Sequence, residues 1–342
     1  MAGEARPLPV IAALGAGRMG RGIAHVFAYA GHDVIVIDAK PRAAADALRL
    51  EKEARAEISS SLAALAEIGA FDAAAIPAIL DRIGFAARDA APEALARADV
   101  VFEGVPEVLE WKREALAFAC DHIRDDAVLA STTSTILVDT LADFVTRPER
   151  FLNAHWLNPA YVVPLVELSP GRRTDPAVVA RVKALLEAIG KVPVVCAAAP
   201  GFIVPRIQAI AMNEAARLVE EGLATAEDID KATRYGFGFR YAAMGLLEFI
   251  DFGGGDILYY ASRYLAEALG DRRYAAPDII DRNMREGRIG LRTGSGFYDF
   301  STIDVAAYRK EVLSRLVAQL AHLKLLRPPG AALAGDGEGR GG

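Results

Sequence analysis

The chain has 342 residues, 53% of them hydrophobic, with a formal net charge of -6. That length and apolar content suffice for a large core and two domains. The charge excludes the Lys/Arg-rich surface by which nucleic-acid binders neutralise phosphates. The two cysteines, Cys120 and Cys196, stand in apolar or helical contexts far apart in the chain, which fits buried thiols better than a disulfide framework or a metal site.

Residues 1–9 lack the apolar core of a signal peptide. The longest uncharged run, between Arg150 and Glu167, is broken by His155, two Asn and two Pro, so no membrane span is expected. A cytoplasmic protein without a metal or a membrane partner is the expectation. The Pro-, Gly- and Ala-rich tail over residues 328–342 reads as disordered.

Val10-Ile-Ala-Ala-Leu14 reads as a buried strand that runs directly into Gly15-Ala-Gly17-Arg18-Met19-Gly20. Ile23, Ala24, Phe27 and Ala30 then recur at helical spacing, and Gly31 ends the helix. Strand, glycine turn and helix in that order form the setting in which G-x-G-x-x-G binds a dinucleotide: a tight turn, a backbone that lets a pyrophosphate approach, and a helix packed close to the sheet. The free N–H groups at the helix start face the phosphates. Gly15, Gly17, Arg18, Met19 and Gly20 are therefore candidate cofactor contacts. A second strand, residues 34–38, ends in Asp38, an acid suited to accept both ribose hydroxyls and to repel a 2′-phosphate, which favours NAD. The other use of Asp38 is as a helix cap before Pro41.

Residues 42–67 read as one long helix with Leu48, Ile58, Leu62 and Leu65 on one face, and Gly69-Ala70 turns it into a shorter helix ending near Ile83. The next strand is expected at residues 99–103, with Glu103 and Pro106 at its carboxyl end, where open α/β sheets place ligands. An amphipathic helix over 107–121 and a strand over 127–130 follow. That strand empties into Ser131-Thr-Thr-Ser134-Thr135. Such hydroxyls serve as turn residues or bond a substrate oxygen, and Ser134 is the candidate for the second role.

In Phe151-Leu-Asn-Ala-His155-Trp-Leu-Asn158-Pro-Ala-Tyr-Val-Val-Pro164-Leu-Val-Glu167, one histidine and one carboxylate close two apolar runs. If the runs are neighbouring strands turning at Asn158-Pro159, imidazole and carboxylate meet in a protected place. Histidine exchanges protons near neutrality, and an acid on its other nitrogen would fix the tautomer. The same residues also suit a core histidine bonded to a backbone carbonyl, with Glu167 a solvated strand end. A helix over 175–189 and a strand over 192–196 complete an expected first domain, residues 1–196, with a doubly wound, mostly parallel, Rossmann-like sheet. Ala197-Ala-Ala-Pro200-Gly201 reads as a hinge. Residues 197–327 are helical in pattern: a long helix over 203–221, a short one capped by Thr225 with Asp228 in the capping box, and a helical stretch over 242–268 broken at Gly253-Gly-Gly255. This second domain is expected to hold substrate and to dimerise. Arg292-Thr-Gly294-Ser-Gly296-Phe-Tyr298 closes it as a glycine-rich turn with a cation.

With these residues in place, the chain resembles the 3-hydroxyacyl-CoA dehydrogenase family along nearly its whole length. The likeness runs through the glycine turn, Asp38, Glu103, Ser134, His155-x-x-Asn158-Pro159, Pro164-Leu-Val-Glu167, Pro200-Gly-Phe202, Glu227-Asp-Ile-Asp230 and Thr293-Gly-x-Gly-Phe-Tyr298. The resemblance implies a catalytic His155 paired with Glu167, Ser134 bonding the substrate oxygen, Glu103 and Asn158 near the nicotinamide, and a homodimer formed by the helical domain. Two departures bear on substrate. Pro205 stands where the family pattern has an asparagine that reaches the reacting oxygen, and Gly238-Phe-Arg240-Tyr-Ala-Ala-Met-Gly245 resembles the carnitine dehydrogenase, gulonate dehydrogenase and lambda-crystallin branch. Arg240 would clamp a free carboxylate, unless it serves a surface or interdomain ion pair. CoA-using relatives carry lysines near the equivalent of residues 56–70, a stretch that here has no Lys or Arg; CoA would then need other groups to hold it. The resulting expectation is reversible NAD-dependent oxidation of the C3 hydroxyl of a short 3-hydroxy acid. The alternatives are a 3-hydroxybutyryl-CoA type of activity and a non-catalytic, crystallin-like NAD-binding role.

Overall fold

The computed structural model describes residues 7–329. The tail expected to be disordered lies, from residue 330 on, outside the described residues. Two compact units divide between Asn213 and Glu214.

The first unit is built on an eight-stranded sheet in the order β3-β2-β1-β4-β5-β6-β7-β8. The strands are β1 Ile11–Leu14, β2 Val34–Ile37, β3 Ile83–Ala86, β4 Val100–Glu103, β5 Val128–Ser131, β6 Phe151–Trp156, β7 Leu165–Pro170 and β8 Val192–Val195. All pairings are parallel except β6 with β7. Helices cover both faces, so β1, β4 and β5 are buried along their whole length and read as continuous apolar runs rather than alternating ones. On one face the core gathers Ile23 and Phe27, Ile58 and Leu62, and Val178 to Leu186; on the other it gathers Leu95, Leu116, Cys120 and Leu141.

One expectation is corrected here. Ile83 does not end a helix but begins β3, which pairs in parallel with β2 through Val34↔Ile83. The segment has four residues, one of them Gly84. It is too short to show a period, and its strand character comes from the β2 edge that it covers. The long helix Ala44–Glu67 buries Ala54, Ile58 and Leu62, whereas Leu48 is 53% exposed.

The connection between β6 and β7 contains the cis Asn158-Pro159 bond and is held from two sides. Lys191 donates to the carbonyls of Ala160 (2.6 Å) and Val163 (2.8 Å). The buried His25 stacks on Tyr161, with ring centroids 4.6 Å apart. His25 Nδ1 lies 2.8 Å from the Ser61 hydroxyl, which itself donates to the Ile58 carbonyl. The ring therefore donates through Nδ1.

Among the described residues the second unit is helical, apart from isolated bridges at Gly290, Ser295 and Asp299. Thr225 caps the helix Ala226–Ala232 by accepting from the Asp228 amide, and a π-helical turn, Thr233–Phe237, leads into Gly238–Ala243. The closing glycine motif has a packing cause. Asp251, 2% exposed, accepts from the amides of Phe297 (3.0 Å) and Tyr298 (2.8 Å), and a Cβ on Gly296 would come within 2.1 Å of its carboxylate. Arg292 pairs with Asp256 at 2.9 Å.

Burial, helped by the charge of Lys191, lowers His25 from 6.5 to about 4. Between those values the unfolded chain binds a proton that the folded chain refuses. Stability from this residue is therefore complete above its unfolded pKa and is lost as pH falls toward about 4, by roughly 1.4 kcal/mol per pH unit. Urea unfolding at about pH 7 and about pH 5 should show that loss in the native chain and a smaller one in His25→Gln. An equal loss in both would assign it elsewhere.

Candidate active site

A cavity of about 850 Å³ opens at the carboxyl ends of β1, β4 and β5 in the first unit. This is where the strand order reverses between β1 and β4, the crevice in which open α/β sheets take ligands. Its floor is the glycine turn. A Cβ on Gly20 would lie 1.9 Å from the Gly15 carbonyl, so helix and strand can join only through glycine there. A Cβ on Gly17 would meet nothing within 4 Å, which leaves its backbone open to the cavity. No side chain caps the helix Arg18–Tyr29; its first N–H groups are left for an anion. Arg18 and Met19 also line the cavity.

Asp38 follows β2 and lines the same cavity, 8% exposed. It accepts from the Lys40 amide (3.2 Å) and pairs with Arg42 Nε (2.6 Å). An open backbone turn, an uncapped helix start and an acid at the next strand end fit the diphosphate and ribose of NAD.

The structure gives Glu103 a different setting from the cofactor contact expected of it. Its carboxylate is wholly buried and does not line the cavity. Lys112 Nζ lies 2.9 and 3.0 Å from its two oxygens, the Val105 amide 2.7 Å and the Ser131 hydroxyl 2.6 Å. Four donor contacts are what allow a buried charge pair to persist. Of the two acids after β4, Glu107 is the one that lines the cavity. Glu107 gathers the hydroxyl loop by accepting from the Thr133 hydroxyl, the Ser134 and Thr135 amides (3.0 Å each) and the Thr135 hydroxyl (2.9 Å). Burial pushes its pKa up, but the Thr133 hydroxyl, the charge of Lys112 and the Thr135 donors outweigh that and hold it below the usual carboxylate range. Ser134 is thereby fixed by its backbone, and it lines the cavity. Glu107 escaped the sequence reading because its partners lie 26 to 28 residues away.

His155 and Glu167 stand directly opposite each other in the antiparallel β6–β7 pair. His155 Nδ1 is 2.8 Å from Glu167 Oε2, and both residues are buried. The other carboxylate oxygen accepts from the amides of Ile203 (2.9 Å) and Val204 (2.8 Å) at the start of the helix Val204–Glu220. With that oxygen engaged by two backbone amides, the facing oxygen accepts from Nδ1, which leaves Nε2 without a partner among the described residues. Phe202, held at a φ of 44°, stacks on the imidazole with centroids 5.5 Å apart. The alternative in which Glu167 is a solvated strand end does not hold.

His155, Asn158 and Ser134 line one cavity with the glycine turn and Asp38. Pro205 and Gln208 line it too. Arg240 belongs to the second unit. Its Nε bonds the Gly236 carbonyl at 3.3 Å and its guanidinium lies 4.6 Å from the Phe249 ring centroid; among the described residues it forms no ion pair. Both cysteines are free thiols, and no group of metal-ligating side chains occurs among the described residues.

Comparisons with known proteins agree with this geometry. Residues 10–199 match the NAD binding domain of 3-hydroxyacyl-CoA dehydrogenase and residues 201–300 match its C-terminal domain. A 3-hydroxybutyryl-CoA dehydrogenase of Bradyrhizobium diazoefficiens is 36% identical over 290 residues, 85% of this chain and 94% of that protein. The 5-formyl-3-hydroxy-2-methylpyridine 4-carboxylate 5-dehydrogenase of Mesorhizobium japonicum is 31% identical over 312 residues, covering 90% and 96%. Among solved structures, a 3-hydroxyacyl-CoA dehydrogenase of Archaeoglobus fulgidus aligns with a TM-score of 0.74 at 32% identity, over 93% of this chain and 100% of that one. A dinucleotide turn, a carboxylate-held histidine and two domain matches in order make this chain a member of the 3-hydroxyacyl-CoA dehydrogenase family, whose NAD-dependent enzymes act on CH–OH groups.

Proposed function

We propose that the chain reversibly oxidises the C3 hydroxyl of a short 3-hydroxy acid, with a free carboxylate preferred over a CoA thioester, and that His155 is the general base. The observation that carries this reading is the His155–Glu167 pair anchored to two helix amides, with Nε2 left free and the residue facing the dinucleotide cavity.

Bound NAD supplies the acceptor for the hydride that leaves C3. The chain does the rest. His155 Nε2 accepts the hydroxyl proton, and Glu167, held in place by the Ile203 and Val204 amides, stabilises the resulting imidazolium. Ser134 offers its hydroxyl to the substrate oxygen as charge develops there. Gly15, Gly17, Arg18, Met19, Gly20 and Asp38 hold the cofactor, and Asn158 borders the nicotinamide end. In reverse, the imidazolium returns the proton to the carbonyl oxygen.

Preference for a free acid rests on three observations. Residues 56–70 carry no Lys or Arg, Arg240 has no acidic partner among the described residues, and the Mesorhizobium japonicum relative is named for a substrate with a ring carboxylate. The CoA-ester reading is favoured by the Bradyrhizobium diazoefficiens and Archaeoglobus fulgidus relatives, named for CoA substrates.

A homodimer is the proposed assembly. The helix Val204–Glu220 exposes Ile210 (75%) and Met212 (68%), and the helix Gly255–Ala268 exposes Ile257 (64%) and Tyr264 (71%). Apolar faces of this kind mark contact surfaces. Two free thiols fit a reducing, cytoplasmic setting.

His155→Ala should lower kcat by at least about a hundredfold and leave NADH binding, followed by fluorescence titration, unchanged. Retention of most activity removes His155 from the mechanism. Arg240→Met should raise KM for a free 3-hydroxy acid by about tenfold, the loss of one charge-assisted contact, while KM for the CoA ester holds. Parallel changes with both substrates defeat the carboxylate clamp. Sedimentation equilibrium at micromolar concentration should report a dimer, and a monomer there rejects the proposed assembly.

A further inference from the structure

The helix that begins at Val204 forms one wall of the cavity, yet its start offers the substrate no backbone donor. The amides of Ile203 and Val204 are taken by Glu167. Pro205, which lines the cavity, has no N–H and no polar side chain. The amides of Arg206 and Ile207 bond the carbonyls of Gly201 and Ile203. The usual anion-binding capacity of a helix N-terminus is thus used up in holding the carboxylate behind His155.

One turn on, at the i+3 position that shares a helix face with Pro205, Gln208 also lines the cavity. The Gln208 side chain forms no hydrogen bond with any described residue. Its carboxamide provides two N–H donors that stay neutral at every working pH. His155 and Ser134 line the same cavity.

A substrate oxygen that surrenders its proton to His155 gains negative charge as it does so. In the reverse direction the carbonyl oxygen must be polarised before hydride arrives. Ser134 supplies one neutral donor, and the alkoxide-like oxygen that develops in either direction carries three lone pairs, one more than Ser134 and the His155 imidazolium satisfy. Donors fixed where charge develops lower the barrier more than they strengthen ground-state binding.

We infer that Gln208 is a catalytic residue whose side-chain amide donates to the substrate oxygen that exchanges its proton with His155. The inference rests on His155 being the base. It adds no redox step: hydride and proton go where the proposed reaction already sends them, and the amide keeps its own protons. Pro205 then removes a competing group from the first turn, and the longer glutamine reaches back from the second.

The test uses the full chain with NADH and two ketones, acetoacetate and acetoacetyl-CoA, read at the NADH absorbance. Gln208→Leu keeps the volume and removes the donor; its kcat should fall by about a hundredfold on whichever ketone the native chain reduces. NADH affinity by fluorescence titration should stay unchanged. A kcat within about twofold of native, or a rise in KM alone, overturns the inference. Gln208→Glu adds a readout that a packing role would not move. Its carboxylate cannot donate, whereas its acid form can, so its ketone-reduction deficit relative to native should shrink as pH falls toward the carboxyl range. A pH-independent deficit counts against the donor. His155→Ala, run alongside, separates the two readings: if it stays active the base assignment fails, whereas an inactive His155→Ala beside a native-like Gln208→Leu sinks the Gln208 inference alone.

Discussion

The Glu167 carboxylate joins two successive strands and a helix that begins well beyond them. One oxygen holds His155 across a pair of strands, and the other accepts the amides of Ile203 and Val204, 36 and 37 residues later at the start of a helix. A wholly buried carboxylate is tolerable only when its lone pairs are matched, and here the matching groups are the parts that must be aligned for proton transfer. Burial cost and site geometry are met by the same contacts.

The antiparallel pairing of β6 and β7 is what makes that contact possible. In an otherwise parallel sheet, this one reversal sets His155 and Glu167 opposite each other on the same face. A register slip of one residue would turn one of them to the other side of the sheet. Lys191 and His25 brace the connecting segment through Ala160, Val163 and Tyr161. Two of the three buried histidines divide the labour here. His25 shows Nδ1 to a serine and its face to a tyrosine, far into the scaffold, while His155 shows Nδ1 to a charge and borders the cavity.

The neighbouring strand ends are organised by two acids of opposite accessibility. Glu103, at the carboxyl end of the central strand β4, is buried with Lys112 and holds the turn after it; Glu107, four residues on and ahead of the helix Leu109–His122, ties up the hydroxyl loop after β5. The loop that carries Ser134 is therefore held by backbone bonds to a single carboxylate, which leaves the hydroxyl side chain to the cavity. Ligand-facing groups supported this way keep their positions at little entropic cost when substrate enters.

Several of these features were legible in the residues alone. A buried strand running into Gly15-x-Gly17-x-x-Gly20 and a helix has one stable local solution, and Asp38 follows at the end of the next strand. The two apolar runs around Asn158-Pro159 suit neighbouring strands, an arrangement in which His155 and Glu167 come within reach of each other. These are short-range consequences of chain geometry, so sequence by itself determined them. Tertiary structure alone decided the rest. Four residues around Gly84 become a strand because β2 has an open edge for them; Leu48 faces outward although its periodicity put it with Ile58 and Leu62. Glu103 and Glu107 exchange the buried and the cavity-facing roles according to where Lys112 and the hydroxyl loop arrive, and Gln208 gains its position because Pro205 and Glu167 have used up the donors before it. Each of those outcomes depends on a partner brought close only by the order of strands in the sheet, which no local pattern encodes.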